Sequence, residues 1–310
     1  MRSSAQRLAL VTAAAPWLWF AGRDLHPVLD WGAVLLPAGA VGGSVVVLLI
    51  TGGAGGRWRI AAFCSWLLFG MAAVVGPWAP RPTAAPDTAL RLAAANIRGD
   101  NTSSAQVVQD LVDLDADVLV VSEVSPLQQT VARRLDDSYP HAIRGGDEAG
   151  VGVWSRFPLE DLGSAPGRLP AAARGVRVAV GAPSGRFVLY GLHLYRPSLR
   201  AFRTEVTMRE QHRLVRQIDS QLAQERLPVV VAGDLNLPDR GAAYRSLLGD
   251  RVDAMRSSWT GPTSLRSRNR ALLLRIDHLL LPTDWCTRDA TRSPLTGSDH
   301  MAVAASVGRC

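Results

Sequence analysis

The chain contains no lysine; all 34 of its basic residues are arginine, which we read as a habit of codon composition rather than as chemistry. Cysteine is scarce, at three residues, with no CxxC and no Cys/His spacing that would hold zinc. There is no HExxH, which argues against a zinc protease. No GxSxG elbow surrounds Ser298, so a serine hydrolase built from Ser298, His300 and Asp277 is set aside. No internal repeat is found. A strong charge excess is also lacking once the formal +7 is divided, because residues 83–310 set 28 Arg against 25 acids. That near balance leaves no electrostatic footprint of a strong DNA binder. The run "SLRSRNR" (264–270) is a local exception that would either flank an anionic substrate or form a solvated loop.

Charge is missing altogether from three N-terminal runs: 8–22, 31–56 and 60–80. A membrane-spanning helix takes about 20 mostly apolar residues, which the second and third runs satisfy. The first is short and reads as a span in preference to a signal-peptide core, since Trp17, Trp19 and Phe20 stand where a cleavage site needs small residues. With three crossings, Arg2, Arg7, Arg57 and Arg59 face the cytoplasm and everything after Pro80 lies outside. Trp17, Trp31, Trp58 and Trp78 fall near the ends of the runs, where amphipathic rings favour the interface. We therefore expect a membrane anchor of about three transmembrane helices over 1–80, a Pro-rich linker over 81–88 and a globular domain over 89–310. An extracytoplasmic domain would permit a Cys286–Cys310 disulfide; two unpaired thiols are the equal alternative.

The domain alternates strand and helix patterns. Strands are expected over 90–97, 117–124, 149–159, 175–194 (a hairpin through "APSG"), 227–236, 275–282 and 300–307. Helices are expected from the serines at 103–104 onward and over 199–226. Buried and hairpin strands interleaved with helices suggest an α/β fold, with two mixed sheets face to face and helices outside.

Polar residues interrupt the apolar strands at their ends. "LRLAAANI" ends near Asn96, "DVLVVSEV" near Glu123, and "YGLHLYRP" carries His193. "VVVAGDLNLP" ends at Asp234 and Asn236, "RIDHLLLP" carries Asp277 and His278, and "TGSDHMAV" opens with Ser298, Asp299 and His300. Each would cost a few kcal/mol if buried without a partner. Gathered at one rim they would satisfy one another and a ligand. Their oxygens suit a hard cation such as Mg²⁺. Histidines against a phosphate can neutralise growing charge, one carboxylate can orient an imidazole, and another can take a proton from water. Together that is metal-assisted phosphoryl hydrolysis.

The ordered set "NI", "SEV", "GVGVWSRFPL", "HLYRP", "GDLN", "RIDHLLL" and "GSDH", spread over 89–308, resembles the endonuclease/exonuclease/phosphatase superfamily. The resemblance implies a four-layered α/β sandwich and a divalent metal, Mg²⁺ or Mn²⁺. It implies Asn96, Glu123 and Asp299 at the metal, with Glu123 the main ligand. It implies His193 on the phosphate, Asp234 and Asn236 on the attacking water, Asp277 orienting His300, and His300 stabilising the transition state. The layout is similar to actinobacterial membrane members of that superfamily linked to teicoplanin resistance. That likeness implies a polyprenyl (pyro)phosphate or another lipid-linked phosphate as substrate, with a membrane as partner. An extracytoplasmic nuclease acting on DNA and a binding-only envelope protein are the alternatives.

Overall fold

Apolar runs that end in a polar residue become the strands of two facing sheets. The computed structural model describes residues 4–30, 32–51, 56–75, 79–124, 128–145, 150–163, 174–198, 200–258, 261–266 and 271–310. Trp31, Trp78, Leu199 and residues 267–270 of the arginine-rich run lie outside the described residues.

The first sheet is built from β1 (Leu90–Asn96), β2 (Val118–Ser122), β3 (His141–Arg144), β4 (Val151–Ser155), β13 (Trp285–Pro294) and β14 (Met301–Arg309). Its strand order is β13-β14-β1-β2-β4-β3. The second holds β5 (Leu159–Asp161), β6 (Arg174–Ala182), β7 (Gly185–His193), β8 (Val229–Asp234), β9 (Val252–Asp253) and β12 (Asp277–Leu281), ordered β5-β6-β7-β8-β12-β9. A small hairpin, β10 (Ser264–Arg266) and β11 (Ala271–Leu274), stands apart.

Both sheets are mixed. β1–β2 and β7–β8 pair in parallel, whereas their neighbours are antiparallel. A parallel pair needs a crossover connection. Helix α5 (Ser104–Val112) supplies the first and α7 (Ala201–Leu222) the second. Ser103 stands at the N-cap of α5 but makes no side-chain capping bond; its amide is instead held by Asn101 Oδ1 at 2.8 Å.

Alternation along the central strands separates three buried cores. Leu92, Val118, Val120 and Val153 meet Val178, Leu189, Val230 and Leu279 between the sheets. Leu119, Val121 and Trp154 turn outward onto α5 and α6 (Gln129–Asp136) through Leu111 and Leu135. Tyr190, Val231 and Leu280 turn outward onto α7 and α8 (Ala242–Leu248) through Leu214, Ile218 and Leu247. Burial on both faces explains why these strands read as unbroken apolar runs. The result is the expected α/β/β/α sandwich. Cys286 pairs in register with Gly308, so Cys310 comes alongside and the two form a disulfide.

The N-terminal part is helical: α1 (Ser4–Gly22), α2 (Pro27–Asp30), α3 (Gly32–Ile50) and α4 (Gly56–Gly70), the last running into a π turn at Met71–Val75. Small residues let these helices touch. Ala9, Val47 and Ala62 form one contact, and a Cβ on Gly43 would lie 2.2 Å from the Trp66 ring. The expectation of three transmembrane helices is corrected here: among the described residues, no helix is long and apolar enough to cross a membrane. Helix α4 has 15 residues before its π turn. It also begins with Arg57 and Arg59, while α1 begins with Ser4, Gln6 and Arg7 and carries Pro16 inside it.

Between the second sheet and α8 lies a buried ionic cluster. Arg275 donates to Asp239 at 3.0 Å and to Asp253 at 2.5 Å, and Asp253 accepts from Tyr244. His278 is buried beside it and donates through Nε2 to the Leu237 carbonyl at 2.8 Å. Burial, reinforced by the Arg275 charge, pushes His278 down from 6.5 to about 4. A histidine depressed in the folded state adds nothing above its unfolded pKa. Its neutrality becomes a liability as pH falls, because the unfolded chain takes up a proton that the folded chain refuses. We predict that stability measured by chemical denaturation falls by about 2–3 kcal/mol between pH 6.5 and 4 through this residue. His278→Gln, which keeps a donor for Leu237, should flatten the slope between pH 6.5 and 5; an unchanged slope would refute the assignment.

Candidate active site

The two parallel pairs end at the same rim, which is why the polar strand ends converge. Asn96 pairs with Ser122 at the ends of β1 and β2, and Glu123 follows directly. His193 pairs with Asp234 at the ends of β7 and β8. Antiparallel β12 starts at that rim with Asp277 opposite Asp234, and β14 starts there just after His300.

Asn96 sits at the centre and is fully buried. Its Nδ2 donates to Glu123 Oε1 at 2.9 Å and to Asp234 Oδ2 at 2.9 Å. The other Glu123 oxygen accepts from the Gly99 amide at 2.7 Å, and Asn96 Oδ1 accepts from the Arg98 amide at 2.9 Å. Local backbone makes this possible. Glu123, Arg98 and Asn236 all adopt left-handed φ, of 64°, 62° and 48°. Gly233 has φ 135°, and a Cβ there would lie 2.1 Å from the Leu192 carbonyl oxygen, so only glycine fits before Asp234.

Two imidazoles face the carboxylates. His193 Nε2 is 3.8 Å from Glu123 Oε1 and 3.6 Å from Asp234 Oδ2. His300 Nε2 is 3.7 Å from the same Asp234 oxygen, and its Nδ1 bonds Asp277 at 3.0 Å. Burial disfavours a charged His300, but the carboxylates of Asp277 and Asp234 outweigh it, with smaller help from Asp299, and hold the ring up to about 10. His300 is therefore an imidazolium at neutral pH. Asp277 is fully buried, and that burial raises its own pKa against the opposing pull of His300.

The structure thus brings Asn96, Glu123, His193, Asp234, Asp277 and His300 together. Asn236 lies on the same loop, but its Nδ2 donates to the Leu194 carbonyl at 3.0 Å and its amide to Asp234 Oδ1 at 3.0 Å. Its visible role is to shape the loop. Asp299 is half-buried beside His300 and acts on it through charge. His278 instead packs on Tyr244, with ring centroids 4.7 Å apart, and bonds the Leu237 carbonyl.

Thr263 was not anticipated. It is fully buried, donates to Asp277 Oδ2 at 2.6 Å, and accepts from the Ile276 and Asp277 amides at 3.1 and 3.2 Å. The Met301 amide bonds its carbonyl at 2.7 Å, so one residue braces Asp277 and the start of β14. Only its place after Gly-Pro, in a stretch with no clear period, marked it in the sequence. Ser298 likewise braces the rim, donating to the Asn96 carbonyl at 2.6 Å and accepting from the His300 amide at 3.0 Å.

Two groups of atoms offer themselves to a cation. Asp234, Asp277 and His300 have ligand atoms within 4.8 Å of one another. In that inner group His300 Nδ1 and Asp277 are hydrogen-bonded to each other at 3.0 Å. The carboxylate oxygens of half-buried Glu123 and the buried Oδ1 of Asn96 are hard donors, each already accepting a hydrogen bond from Asn96 Nδ2, the Gly99 amide or the Arg98 amide. They fit a magnesium-type ion better.

A sandwich of this topology with a carboxylate–amide–imidazole rim defines a class of phosphoester-cleaving proteins. A family profile described as "Endonuclease/Exonuclease/phosphatase family" matches residues 93–300, and the chain belongs to that family. No curated protein matches the chain. Among solved structures, it is similar to Danio rerio TDP2 complexed with single strand DNA product, at 17% identity and TM-score 0.56, covering 72% of this chain and 100% of that one. It is similar to sphingomyelinase C from Streptomyces griseocarneus, at 18% identity and TM-score 0.51, covering 71% and 99%. It is also similar to an endonuclease/exonuclease/phosphatase from Beutenbergia cavernae, at 20% identity and TM-score 0.54, covering 71% and 72%. At these identities the likeness shows the fold.

The His300 pKa lies above its unfolded value of 6.5, so its charge stabilises the fold fully below about pH 6.5 and is lost as pH rises toward about 10. We predict that ¹⁵N ring shifts report an imidazolium at pH 8. Asp277→Asn should bring deprotonation down by about two units or more. A neutral ring at pH 8 in the wild type would overturn the electrostatic picture.

Proposed function

We propose that this chain is a divalent-metal-dependent phosphoester hydrolase that works outside the cytoplasm on a lipid-linked phosphate. The observation that carries the reading is the pairing of His300, fixed by Asp277, with the Asn96-bridged carboxylates of Glu123 and Asp234.

A Mg²⁺ or Mn²⁺ ion held by Glu123 and Asn96, with Asp299 nearby, would polarise a phosphoryl oxygen. The chain's own residues do the rest. Asp277 holds the His300 Nδ1 proton and leaves Nε2 on the Asp234 side of the rim, where its proton would meet charge developing on phosphoryl oxygens. His193, on the neighbouring strand end, adds a second donor to the phosphate. Asp234 lies between both rings and is oriented by Asn96 and by the Asn236 amide, which suits it to take a proton from an attacking water.

Three features support the substrate and its compartment. The disulfide between Cys286 and Cys310 belongs to an oxidising environment. The helical N-terminal part keeps Leu18, Val45, Val46, Leu49, Ile60, Leu67 and Leu68 exposed, an apolar surface suited to lipid. The near-balanced charge of residues 83–310 gives DNA little to grip. These features favour the actinobacterial teicoplanin-resistance type over the nuclease type, although a relative bound to DNA makes the nuclease the second reading.

The test uses the full chain with Mg²⁺ on polyprenyl pyrophosphate and on plasmid DNA. Phosphate release that falls by about 10²–10⁴-fold in Asp234→Ala and in His300→Ala is expected. Plasmid nicking with no phosphate release would transfer the reading to the nuclease. No difference between wild type and variants on either substrate would leave a binding protein.

A further inference from the structure

The catalytic loop that carries Asn236 runs on through Asp239 and Arg240 into α8. That helix starts at Ala242 after Gly241, a residue with no side chain to cap it. The missing cap comes from far away in the sequence. Asp30, at the end of α2 and 3% exposed, places both carboxylate oxygens 2.9 Å from the Ala242 amide. Asp30 packs directly against Gly241: a Cβ there would touch Asp30 Oδ2 at an ordinary 3.5 Å, its tighter contact being the Pro238 carbonyl at 3.2 Å.

Other contacts gather around this one. Arg245 of α8 pairs with Asp24 and also donates to the Arg240 carbonyl at 2.5 Å. His212 of α7 faces Asp30 at 3.8 Å, and His26 lies 3.4 Å from Glu205. Arg240, 5% exposed, donates through Nε to the Ala73 carbonyl at 3.0 Å, beyond α4. From Arg240 a chain of bonds leads inward. Arg240 Nη1 meets Asp239 at 2.6 Å, Asp239 accepts from Arg275 at 3.0 Å, and Arg275 stands two residues before Asp277. A second link runs along the backbone, where the Leu235 amide bonds the Ile276 carbonyl at 3.0 Å.

We propose that residues 23–30 and the Ala73 carbonyl form a docking element for the catalytic domain, and that Asp30 is a positioning residue. Asp30 caps α8 across the chain, and the capped helix holds the 235–241 loop against the Asp277 strand. The N-terminal part is then a working component of the site. A domain cut after residue 82 loses the Asp30 cap and the Ala73 acceptor together. The functional half of this inference rests on the hydrolase reading above; the docking itself does not.

The test is hydrogen exchange on the full chain, beside kinetics on bis(p-nitrophenyl) phosphate with Mn²⁺. In Asp30→Ala, exchange at the Ala242 amide and at the Asn236 amide is expected to rise by about tenfold or more. The kcat should fall by about three- to tenfold, with KM held within about twofold. Asp30→Asn, whose Oδ1 still accepts from Ala242, should restore most of both. If Asp30→Ala fails to accumulate, Asp30→Ser, whose shorter side chain draws its oxygen back from the Ala242 amide, carries the same expectation. Unchanged exchange at Ala242 would sink the docking. Raised exchange at Ala242 with Asn236 unchanged would sink the coupling to the site. Should the wild type cleave no phosphoester, the hydrolase reading falls and the two amides still decide the docking.

Discussion

One side chain ties the two sheets at the place where the chemistry sits. Asn96 ends a strand of the first sheet, Asp234 ends a strand of the second, and 2.9 Å separates Asn96 Nδ2 from the Asp234 carboxylate. The other Nδ2 proton holds Glu123. Two carboxylates brought close repel each other, and in a buried place the repulsion is poorly screened. The amide stands between them and gives each a proton to share, while His300 adds the positive charge. Aspartate or leucine at position 96 would remove that arrangement in different ways, one by a third negative charge and one by stranding both acceptors. The rim is polar because its members satisfy one another, and this is what lets polar residues end strands whose other positions are wholly apolar.

The backbone is bent to serve the same place. Left-handed φ at Glu123, Arg98 and Asn236 occurs at non-glycine residues, where it costs about 1–3 kcal/mol each. Each conformation has a local return. The turn at Arg98 and Gly99 aims two amides at Asn96 and Glu123, and the turn at Asn236 aims its amide at Asp234. Among the described residues, three of the five non-glycine positions with left-handed φ stand at this rim; the other two, Asp115 and Asp289, lie in the loop before β2 and in edge strand β13.

Much of this was legible in the sequence for a physical reason. A strand buried on both faces is a run of valine, leucine and alanine, so a polar residue at its end is conspicuous; Asn96, Glu123, His193, Asp234, Asp277 and His300 were all read that way and converge. What stayed hidden lacks such contrast. Strand β13 reads "WCTRDATRSP" because it is an edge strand, with Arg288 and Asp289 exposed and a register shift between Arg288 and Thr291. Polar composition and a bulge are how edges avoid further pairing, and they erase the apolar signal. Thr263 is hidden because a single hydroxyl in an irregular stretch has no period to break. The N-terminal runs misled in the other direction. Their lack of charge suggested three spans, but chain geometry divides them differently: the third run yields a helix of 15 residues that draws Arg57 and Arg59 into its first turn.

Asp30 and Arg240 show the limit most clearly. In sequence Asp30 is a lone acid between apolar runs and Arg240 one arginine among 34. Only the fold shows that both are buried, at 3% and 5% exposure, and that the first supplies a cap that Gly241 cannot. A buried charge is kept only where its partners are fixed, since removing one partner strands the other. The chain of bonds from Ala73 through Arg240, Asp239 and Arg275 toward the Asp277 strand is therefore all-or-none in character. Its outermost bond, from Arg240 Nε to the Ala73 carbonyl, is the one the N-terminal part supplies. That dependence makes the relation between the helical part and the sandwich a matter of site geometry.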